Sequence, residues 1–274
     1  MITLRPSKIF RFPVIAECIT PHVLEGKTVS EIEQFTIWEG NKQRKLHELF
    51  KIEQTEHESE TETVAVTIKG DVSKVRRIGA AQQNGEIFID GDVGMHLGEE
   101  MKGGKITVNG NVGSWVGTMM KGGEIEIHGN AGSYLGAPYR GSTKGMHGGR
   151  ITVTGNVGHE AGASMKNGTI KIYGNAGQFT GLRMQGGTVF VQGDCDDRVG
   201  ACMTGGKIVV SGILQSVLPS FSIDSIKSKV KVEEDEVVQG QLYVFLGDLT
   251  ECGNGKLYVS KQKNPQFSIY EKYL

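Results

Sequence analysis

Hydrophobic and polar residues alternate in short segments that recur along the middle of the chain. In "GKITVNG" (residues 104–110) Ile106 and Val108 fall on one face, and Lys105 and Thr107 fall on the other. A period of two is that of a β-strand with one buried face. Segments of this kind occur seven times between residues 86 and 210, so the pattern predicts seven similar strands.

Glycines mark the spacing of these segments. A Gly-Gly or Asn-Gly pair ends at Gly85, Gly104, Gly123, Gly149, Gly168, Gly187 and Gly206. A Gly-Asp or Gly-Asn pair begins at Gly70, Gly91, Gly110, Gly129, Gly155, Gly174 and Gly193. The steps of the first series are 19 residues, except for one of 26 that carries seven extra residues within "APYRGSTKGM". A fixed period of this length predicts a stack of repeated coils.

Aligning the repeats places apolar residues in three predicted inward columns. One column is Ile87, Ile106, Ile125, Ile151, Ile170, Val189 and Ile208. The next is Ile89, Val108, Ile127, Val153, Ile172, Val191 and Val210. The third is Met101, Met120, Met146, Met165, Met184 and Met203. An outward column begins Glu86, Lys105, Glu124, Arg150, and this alternation of charge favours parallel strands in register.

The predicted fold is all-β: a single-stranded, right-handed parallel β-helix of seven coils of about 19 residues. It covers residues 64–212, with capping segments at 1–63 and 213–274 that also contact partners. At the corners we expect Gly, Asn and Asp to adopt positive φ. The first flank contains "FTIWEGNKQRKLHELF", which is strand-like around a Gly-Asn turn. The second contains two strand candidates, "GQLYVFLGDL" and "GKLYVS".

Composition narrows the class of protein. Glycine is 40 of 274 residues, about twice the usual share, and the repeat accounts for the excess. The formal net charge of −1 argues against a general nucleic-acid binder. No apolar run approaches the ~20 residues of a membrane helix, and the N-terminus lacks the apolar stretch of a signal peptide. We therefore expect a soluble, cytoplasmic protein with reduced thiols and no membrane partner.

No catalytic, cofactor-binding or metal-binding constellation is predicted on this chain. His96, His128, His147 and His159 fall in four different columns, so they cannot converge on one ion. The glycine-rich "GNVGSWVG" lacks the spacing of a phosphate-binding loop and recurs in most coils, so it is interpreted as structural corners. Cys195 stands in a column of small apolar residues and is predicted to be a buried thiol.

A candidate partner-docking surface combines an aromatic-rich column with the insertion. The column is His96, Trp115, Tyr134, Glu160, Phe179 and Arg198, and the insertion adds Tyr139, Arg140 and Lys144. Aromatic and arginine residues are enriched at protein interfaces, and loops on rigid scaffolds often carry function. The candidate residues are Trp115, Tyr134, Tyr139, Arg140 and Phe179. Folding of these aromatic rings over a corner, as local packing, is the other interpretation.

The coils "MKGGKITVNGNVGSWVG" and "YRGSTKGMHGGRITVTGNVG" resemble the glycine-repeat β-helix at the C-terminus of large-subunit glutamate synthase. They are more similar to the C subunit of formylmethanofuran dehydrogenase. That resemblance extends to "ITPHVLEGKTVSEIEQFTIWEGNKQRKLHELF" before the coils and to "GILQSVLPSF" after them. The sequence departs from this family at Asp196 and Asp197, where a small residue and glycine are usual.

The resemblance implies a subunit of an archaeal oxidoreductase complex of methanogenesis that reduces CO2 and fixes it as formylmethanofuran. It implies a molybdenum- or tungsten-pterin site, a binuclear metal site and iron–sulfur clusters, all on other subunits. The implied partners are amidohydrolase-like, pterin-binding and iron–sulfur subunits, against which this chain is a non-catalytic scaffold.

Two alternatives stay open at this point. The first is the C subunit of the bacterial formyltransferase/hydrolase complex. The second is a free-standing β-helix enzyme acting on carbohydrates, although the sequence shows neither its convergent cleft nor its export signal.

Overall fold

The computed structural model describes residues 1–55, 64–234 and 236–274, and within them the chain is mostly β, as predicted. The acidic residues 56–63, which belong to the predicted N-terminal cap, lie outside the described residues. The strands are β1 Ile2–Pro6, β2 Val14–Ile15, β3 Thr36–Glu39, β4 Lys42–Lys45, β5 Phe50–Gln54, β6 Ala65–Lys69, β7 Val75–Arg76, β8 Glu86–Asp90, β9 Lys105–Asn109, β10 Glu124–Ile127, β11 Arg150–Val153, β12 Thr169–Ile172, β13 Thr188–Val191, β14 Lys207–Val210, β15 Ser222–Lys231, β16 Val237–Gly247 and β17 Gly255–Ser260. The helices are α1 Pro21–Leu24, α2 Val29–Glu33 and α3 Leu46–Leu49, with 3₁₀ helices at Leu249–Glu251 and Pro265–Tyr273.

The repeated strands pair in parallel and in register, each with the equivalent strand of the next repeat. One large sheet has the order β15-β16-β17-β14-β13-β12-β11-β10-β9-β8-β6-β1-β5. Glu86 lies beside Lys105, Lys105 beside Glu124, and Glu124 beside Arg150, as the alternating charges predicted. Arg150 binds Glu124 at 3.4 Å, whereas Lys105 binds Glu126, at 3.1 Å, on the same outer surface.

The three predicted inward columns form the core. Every isoleucine, valine and methionine in them is buried, and together they belong to one apolar cluster that extends from Ile2 to Phe267. Burying such side chains contributes roughly 1.5–3 kcal/mol each relative to exposure. Each repeat therefore covers the apolar cross-section of its neighbours, and the stack supplies the stability that a single coil lacks.

Two further lines of backbone contact join successive repeats away from the strands. Single parallel bridges run through Val72, Val93, Val112, Ala131, Val157, Ala176, Cys195 and Leu214. At a third position the N–H of Gly117 donates to the carbonyl of Leu97 at 2.8 Å, and Gly136 donates equivalently to Val116. Each repeat is thus tied to its predecessor at three separated places. Cys195, predicted as a buried thiol, is buried in this second line.

The glycine pairs perform two different physical tasks. Gly104 has φ of +78°, which favours glycine. Gly103 instead faces the preceding repeat, where an added Cβ would lie 2.4 Å from the carbonyl oxygen of Gln83. The first glycine therefore permits close approach of two backbones, and the second permits the turn.

The expectation that Asn and Asp of the Gly-Asp/Asn pairs adopt positive φ is wrong. No such residue among the described positions has positive φ. Their side chains instead form a ladder, in which Oδ1 accepts the backbone N–H of the equivalent residue in the next repeat. Asn111 donates to Asp92 at 2.7 Å, and Asn130 donates to Asn111 at 3.0 Å. The ladder continues through Asn156, Asn175 and Asp194, and it ends at the N–H of Ile213.

The N-terminal flank lies against the first repeat. Strand β1 pairs in parallel with β6 and antiparallel with β5, and β2 pairs in parallel with β7. The predicted strands around the Gly-Asn turn are β3 and β4, which form an antiparallel hairpin. The three short helices were not predicted. Helix α2 begins at a capping box between Thr28 and Glu31, and the Thr-x-x-Glu spacing was a readable signal for it.

The C-terminal flank covers more than the end of the stack. Strand β17 adds in parallel to β14, and β16 and β15 follow antiparallel, which confirms the two predicted strands. Residues Val230, Val232 and Leu242 pack with Phe190 and Val209, which belong to the outward side of their strands. Lys171, also outward, binds Glu233 at 2.6 Å and Glu236 at 2.7 Å. This part of the outer surface is therefore covered by the chain itself.

Candidate functional site

The aromatic-rich column lies at a corner where the backbone is left-handed. His96, Trp115 and Tyr134 have φ of 64°, 62° and 68°. The Trp115 N–H donates to the carbonyl of Ser133 in the next repeat at 2.9 Å, and the same bond recurs along the column. The strained conformation is thus fixed by the neighbouring repeat, and it sets the side chains one above the other.

Three rings of this column form one stack, and the Tyr139 ring of the insertion lies beside it. The His96 and Trp115 rings are parallel within 11° at 5.5 Å, and Trp115 and Tyr134 are parallel within 13° at 4.4 Å. The Tyr139 ring lies 5.5 Å from His96, and an Arg140 N–H donates to the Tyr134 hydroxyl at 3.5 Å. Stacked rings separated by one strand spacing contribute about 0.5–1.5 kcal/mol each beyond their burial.

Phe179, the remaining candidate, lies apart from the stack. Glu160 occupies the intervening position of the column, and the Arg198 guanidinium lies over the Phe179 ring at 5.1 Å. The candidate surface is therefore two patches. We call the rings of Trp115, Tyr134 and Tyr139 with Arg140 the aromatic patch.

The insertion that carries Tyr139 is held by a buried carboxylate that sequence reasoning missed. The Glu99 side chain is 4% exposed, and it accepts hydrogen bonds from Arg77 Nε at 2.7 Å and from the Tyr139 hydroxyl. Arg77 also binds Glu17 of the N-terminal flank, and Tyr139 Oη lies 3.2 Å from His96 Nδ1. This cluster joins the flank, two repeats and the insertion. Its signal in the sequence is that Glu99 stands in a column of small and apolar residues.

The charges in this cluster are fixed by their surroundings. Burial alone would raise the pKa of Glu99, but hydrogen bonds from Arg77 and Tyr139 hold it below its ordinary value of 4.5. Burial and the bond to Glu99 raise the pKa of Tyr139 to about 12. Burial lowers the pKa of His96 from 6.5. At neutral pH the cluster therefore holds an ionised Glu99, a protonated Tyr139 and a neutral His96.

Replacing Glu99 with Gln is expected to destabilise the protein at neutral pH and to matter less in acid. The pKa of Glu99 is lower in the folded protein than in the unfolded chain, so ionised Glu99 stabilises the fold at pH values above its unfolded pKa. This stabilisation is lost as the pH falls through the folded pKa. We expect a loss of about 1–3 kcal/mol at pH 7, from urea unfolding, that shrinks at about pH 3. Glu100→Gln is the matched control, because the Glu100 side chain is 43% exposed. An equal loss at both pH values would contradict the assigned ionisation.

The four histidines of the repeats have different neighbours. His128 Nε2 lies 3.4 Å from Glu126, His147 Nδ1 lies 2.6 Å from the Gly145 carbonyl, and His159 Nδ1 accepts the Gln178 N–H. Over residues 1–55, 64–234 and 236–274, no three His, Cys, Asp or Glu side chains are grouped so as to hold a metal ion. In the same ranges no helix has the length and hydrophobicity that a bilayer crossing requires.

Asp196 and Asp197, which depart from the repeat, are partly buried in the last repeat. The Asp197 carboxylate accepts a hydrogen bond from the Ser216 hydroxyl at 3.2 Å, and its carbonyl accepts the Phe179 N–H at 3.1 Å. Asp196 donates its own N–H to the Ala176 carbonyl at 3.1 Å. Both residues keep the repeat's backbone contacts, so the departure leaves the stacking intact.

Several curated proteins are similar to this chain, although no family model matches it. The C subunit of the molybdenum-containing formylmethanofuran dehydrogenase 1 of Methanothermobacter marburgensis is 44% identical over 95 residues, which are 35% of this chain and 23% of that protein. The corresponding protein of Methanosarcina barkeri is 38% identical over 96 residues, 32% of its length. The matched segment thus spans between about a quarter and a third of these relatives.

A solved structure is similar over almost the whole chain. It is a chain of the formyltransferase/hydrolase complex from Methylorubrum extorquens, crystallised with methylofuran. The TM-score is 0.84 at 29% sequence identity, and the match covers 94% of this chain and 99% of that one.

One relative matches across the repeats and both flanks. The C subunit of the tungsten-containing formylmethanofuran dehydrogenase 2 of Methanococcus maripaludis is 47% identical over 258 residues, covering 92% of this chain and 93% of that protein. Identity at this level over nearly the full length of both chains includes the repeat, the insertion and the flanking segments. The chain belongs to the family of formylmethanofuran dehydrogenase C subunits.

Proposed function

We propose that this chain is the C subunit of a formylmethanofuran dehydrogenase, a complex that reduces CO2 and fixes it as formylmethanofuran in methanogenesis. The observation that carries the proposal is the 47% identity to the Methanococcus maripaludis protein over 92% of the chain. The solved neighbour also comes from a complex, crystallised with methylofuran, which supports a role inside an assembly. On this proposal the chain works in the cytoplasm with its partner subunits.

The proposed shape is a right-handed parallel β-helix formed by the repeats of residues 64–212. It is supported by the strand ladder, the line of single bridges and the third line of corner hydrogen bonds, which all join equivalent residues of successive repeats. Residues 1–63 and 213–274 are the proposed caps, and β1 and β17 extend the first and last repeats in parallel. Backbone contacts at three separated places join each repeat to the next, which suits a scaffold.

The proposed role of this chain is structural. In the buried polar cluster around Glu99 the charged side chains pair with one another. The Glu99 carboxylate accepts hydrogen bonds from Arg77 and Tyr139, so these groups hold the structure together. In the aromatic patch the rings of Trp115, Tyr134 and Tyr139 are half-buried and Arg140 is exposed. Aromatic and arginine side chains are typical of protein interfaces. We propose this patch as a contact for a partner subunit.

The metal chemistry is proposed to belong to the partners, which would be amidohydrolase-like, pterin-binding and iron–sulfur subunits. The described side chains do not assemble the three or more ligands that a metal ion needs. On this proposal a molybdenum or tungsten pterin, a binuclear centre and iron–sulfur clusters are held by those partner subunits. No chemical step is assigned to its residues.

Membership of a formyltransferase/hydrolase complex is the weaker candidate. Identity to the Methylorubrum extorquens chain is 29%, against 47% to the Methanococcus maripaludis protein over a similar share of the chain. The high TM-score follows from the shared fold.

The test is a host strain that lacks this chain. We expect the remaining subunits to be synthesised but to fail to co-purify at fixed stoichiometry, and restoring the wild-type chain should recover both assembly and formylmethanofuran formation. Full assembly and turnover without the chain would overturn the scaffold role. If the isolated subunits keep their own partial reactions, the loss of formylmethanofuran formation in this strain is a defect of assembly and not of catalysis.

A further inference from the structure

The loop between β1 and β2 holds two large apolar side chains in solvent. Ile9 is 92% exposed and Phe12 is 60% exposed, although Phe10 between them is buried and its ring lies 5.5 Å from that of Phe50. The loop backbone is anchored, because Ser7 N–H donates to the Leu49 carbonyl at 2.9 Å. Lys74 Nζ also donates to the Arg11 carbonyl, at 3.1 Å. The exposure of Ile9 and Phe12 is therefore built into an anchored turn.

This loop faces the β3–β4 hairpin across a pocket. The Phe12 side chain packs on the hairpin turn, where its Cβ would lie 3.4 Å from a Cβ added at Gly40. The pocket has a volume of about 530 Å³, and its lining includes Ile9, Arg11, Phe12, Glu39, Lys42 and Arg44. Such a volume accommodates one or two large side chains of a bound segment.

The pocket carries an excess of positive charge in a chain whose net charge is −1. Four cations line it, Lys8, Arg11, Lys42 and Arg44, with the single carboxylate of Glu39. Glu39 is already bound by Lys8 and by Arg44, both at 3.3 Å, and its side chain is 10% exposed. Within the described ranges no carboxylate lies within 4.0 Å of the Arg11 or Lys42 side chains. Arg11 and Lys42 thus line the pocket beside the apolar side chains of Ile9 and Phe12, and neither has a carboxylate partner among the described residues.

We propose that this basic apolar face, made of Ile9, Phe12, Arg11 and Lys42, binds a segment of another subunit that is both aliphatic and acidic. The inference rests on the proposed function for its setting. Aliphatic side chains of that segment would cover Ile9 and Phe12, and its carboxylates would pair with Arg11 and Lys42.

Charge and shape decide between this occupant and two others. A second copy of the chain would bring the same positive charge to the contact, and like charges across an interface repel. A nucleic-acid phosphate would pair with Arg11 and Lys42 but would leave the apolar side chains of Ile9 and Phe12 in solvent. A flat lipid surface would contact the exposed side chains but would not fill the pocket of about 530 Å³. A protein segment can cover Ile9 and Phe12 with its apolar side chains and pair its carboxylates with Arg11 and Lys42.

The test compares tagged variants of the chain purified with their complex from the host. We expect Ile9→Asp/Phe12→Asp and Arg11→Glu/Lys42→Glu to lower the occupancy of one and the same subunit at least tenfold, measured by native mass spectrometry. For the wild type, rising salt should remove that subunit first. Ile213→Asp is the matched control: Ile213 is 49% exposed and stands where other repeats have Asp or Asn. Unchanged thermal melting of the isolated variants would show that they fold.

The outcomes separate this face from the proposed function. If both double variants keep the wild-type stoichiometry, the basic apolar face does not bind a subunit, and the proposed function is unaffected. A wild-type chain that purifies alone overturns the proposed function and this inference with it. Binding of the wild type, but not of Arg11→Glu/Lys42→Glu, to phosphatidylglycerol vesicles would assign the face to a membrane surface. A homodimer abolished by Ile9→Asp/Phe12→Asp would assign it to self-association.

Discussion

A chain with Met165 replaced by Asp is expected to lose most of its stability. Met165 is fully buried between the equivalent methionines of the neighbouring repeats, Met146 and Met184. Its carbonyl also accepts the N–H groups of Gln185 and Gly186 at 2.8 and 3.2 Å. A carboxylate at this position would be buried without a partner, which costs several kcal/mol. We expect a loss above about 4 kcal/mol, measured by urea unfolding followed by circular dichroism.

Two control variants isolate the cause of that loss. Lys166→Asp introduces the same side chain at the next residue, which is exposed, and is expected to change stability by less than about 0.5 kcal/mol. Met165→Leu keeps the volume and is expected to cost less than about 1.5 kcal/mol. If Met165→Asp melted like the wild type, the methionine column would not be the core of the stack.

The double variant Trp115→Ala/Tyr139→Ala is expected to weaken binding of a partner subunit at least tenfold. It removes Trp115, the ring between His96 and Tyr134 in the stack, and Tyr139, the ring that the insertion contributes. Interface aromatics often account for about 2 kcal/mol or more of binding, roughly thirtyfold, when they are truncated. The measurement is the fraction of each partner retained when the tagged variant is purified from its host.

The structure supplies controls that the sequence did not. Tyr139→Phe keeps the ring but removes the hydroxyl that donates to Glu99, so it tests the bond to Glu99 separately from the patch. Phe179→Ala alters the separate patch under Arg198 and is expected to have a smaller effect on the same partner. Intact co-purification of Trp115→Ala/Tyr139→Ala would remove the proposed docking contact and favour local packing as the role of these rings.

The repeated part of the chain was predictable because each inward position recurs seven times. A strand with two apolar residues is ambiguous alone, but the columns headed by Ile87 and Ile89 carry the same signal in every repeat. Register followed from the charges at Glu86, Lys105 and Glu124, which lie side by side as expected. Identical offsets also located the insertion, after which Met146 returns to the core column.

The conformation of the Asn and Asp residues was not predictable in the same way. Asn tolerates positive φ and also bonds to backbone amides, and both properties suit a repeated turn. Stacking decides between them, since Asn130 Oδ1 lies 2.8 Å from the N–H of Asn156 in the next repeat. The left-handed backbone conformation is adopted instead by residues such as Trp115, whose backbone N–H donates to the neighbouring repeat.

The features that could not be predicted from the sequence depend on long-range contacts. Nothing local marks Phe190 and Val209 as covered, because the residues over them come from the C-terminal flank. The cluster at Glu99 combines residues from four separate segments. Its one signal in the sequence is a carboxylate in a column of small and apolar residues. The basic apolar face arises because a loop and a hairpin meet at the β2–β3 pairing. Such contacts depend on tertiary packing rather than on repetition.

The most direct test of the central claim is the native mass of this chain, tagged and purified from its host, together with the identity of every protein that accompanies it. A scaffold role in formylmethanofuran dehydrogenase predicts a complex in which this chain is present at a fixed ratio to metal-containing partners identified as that enzyme's other subunits. A single species of 29.7 kDa, or a homo-oligomer with turnover of its own, would contradict the account.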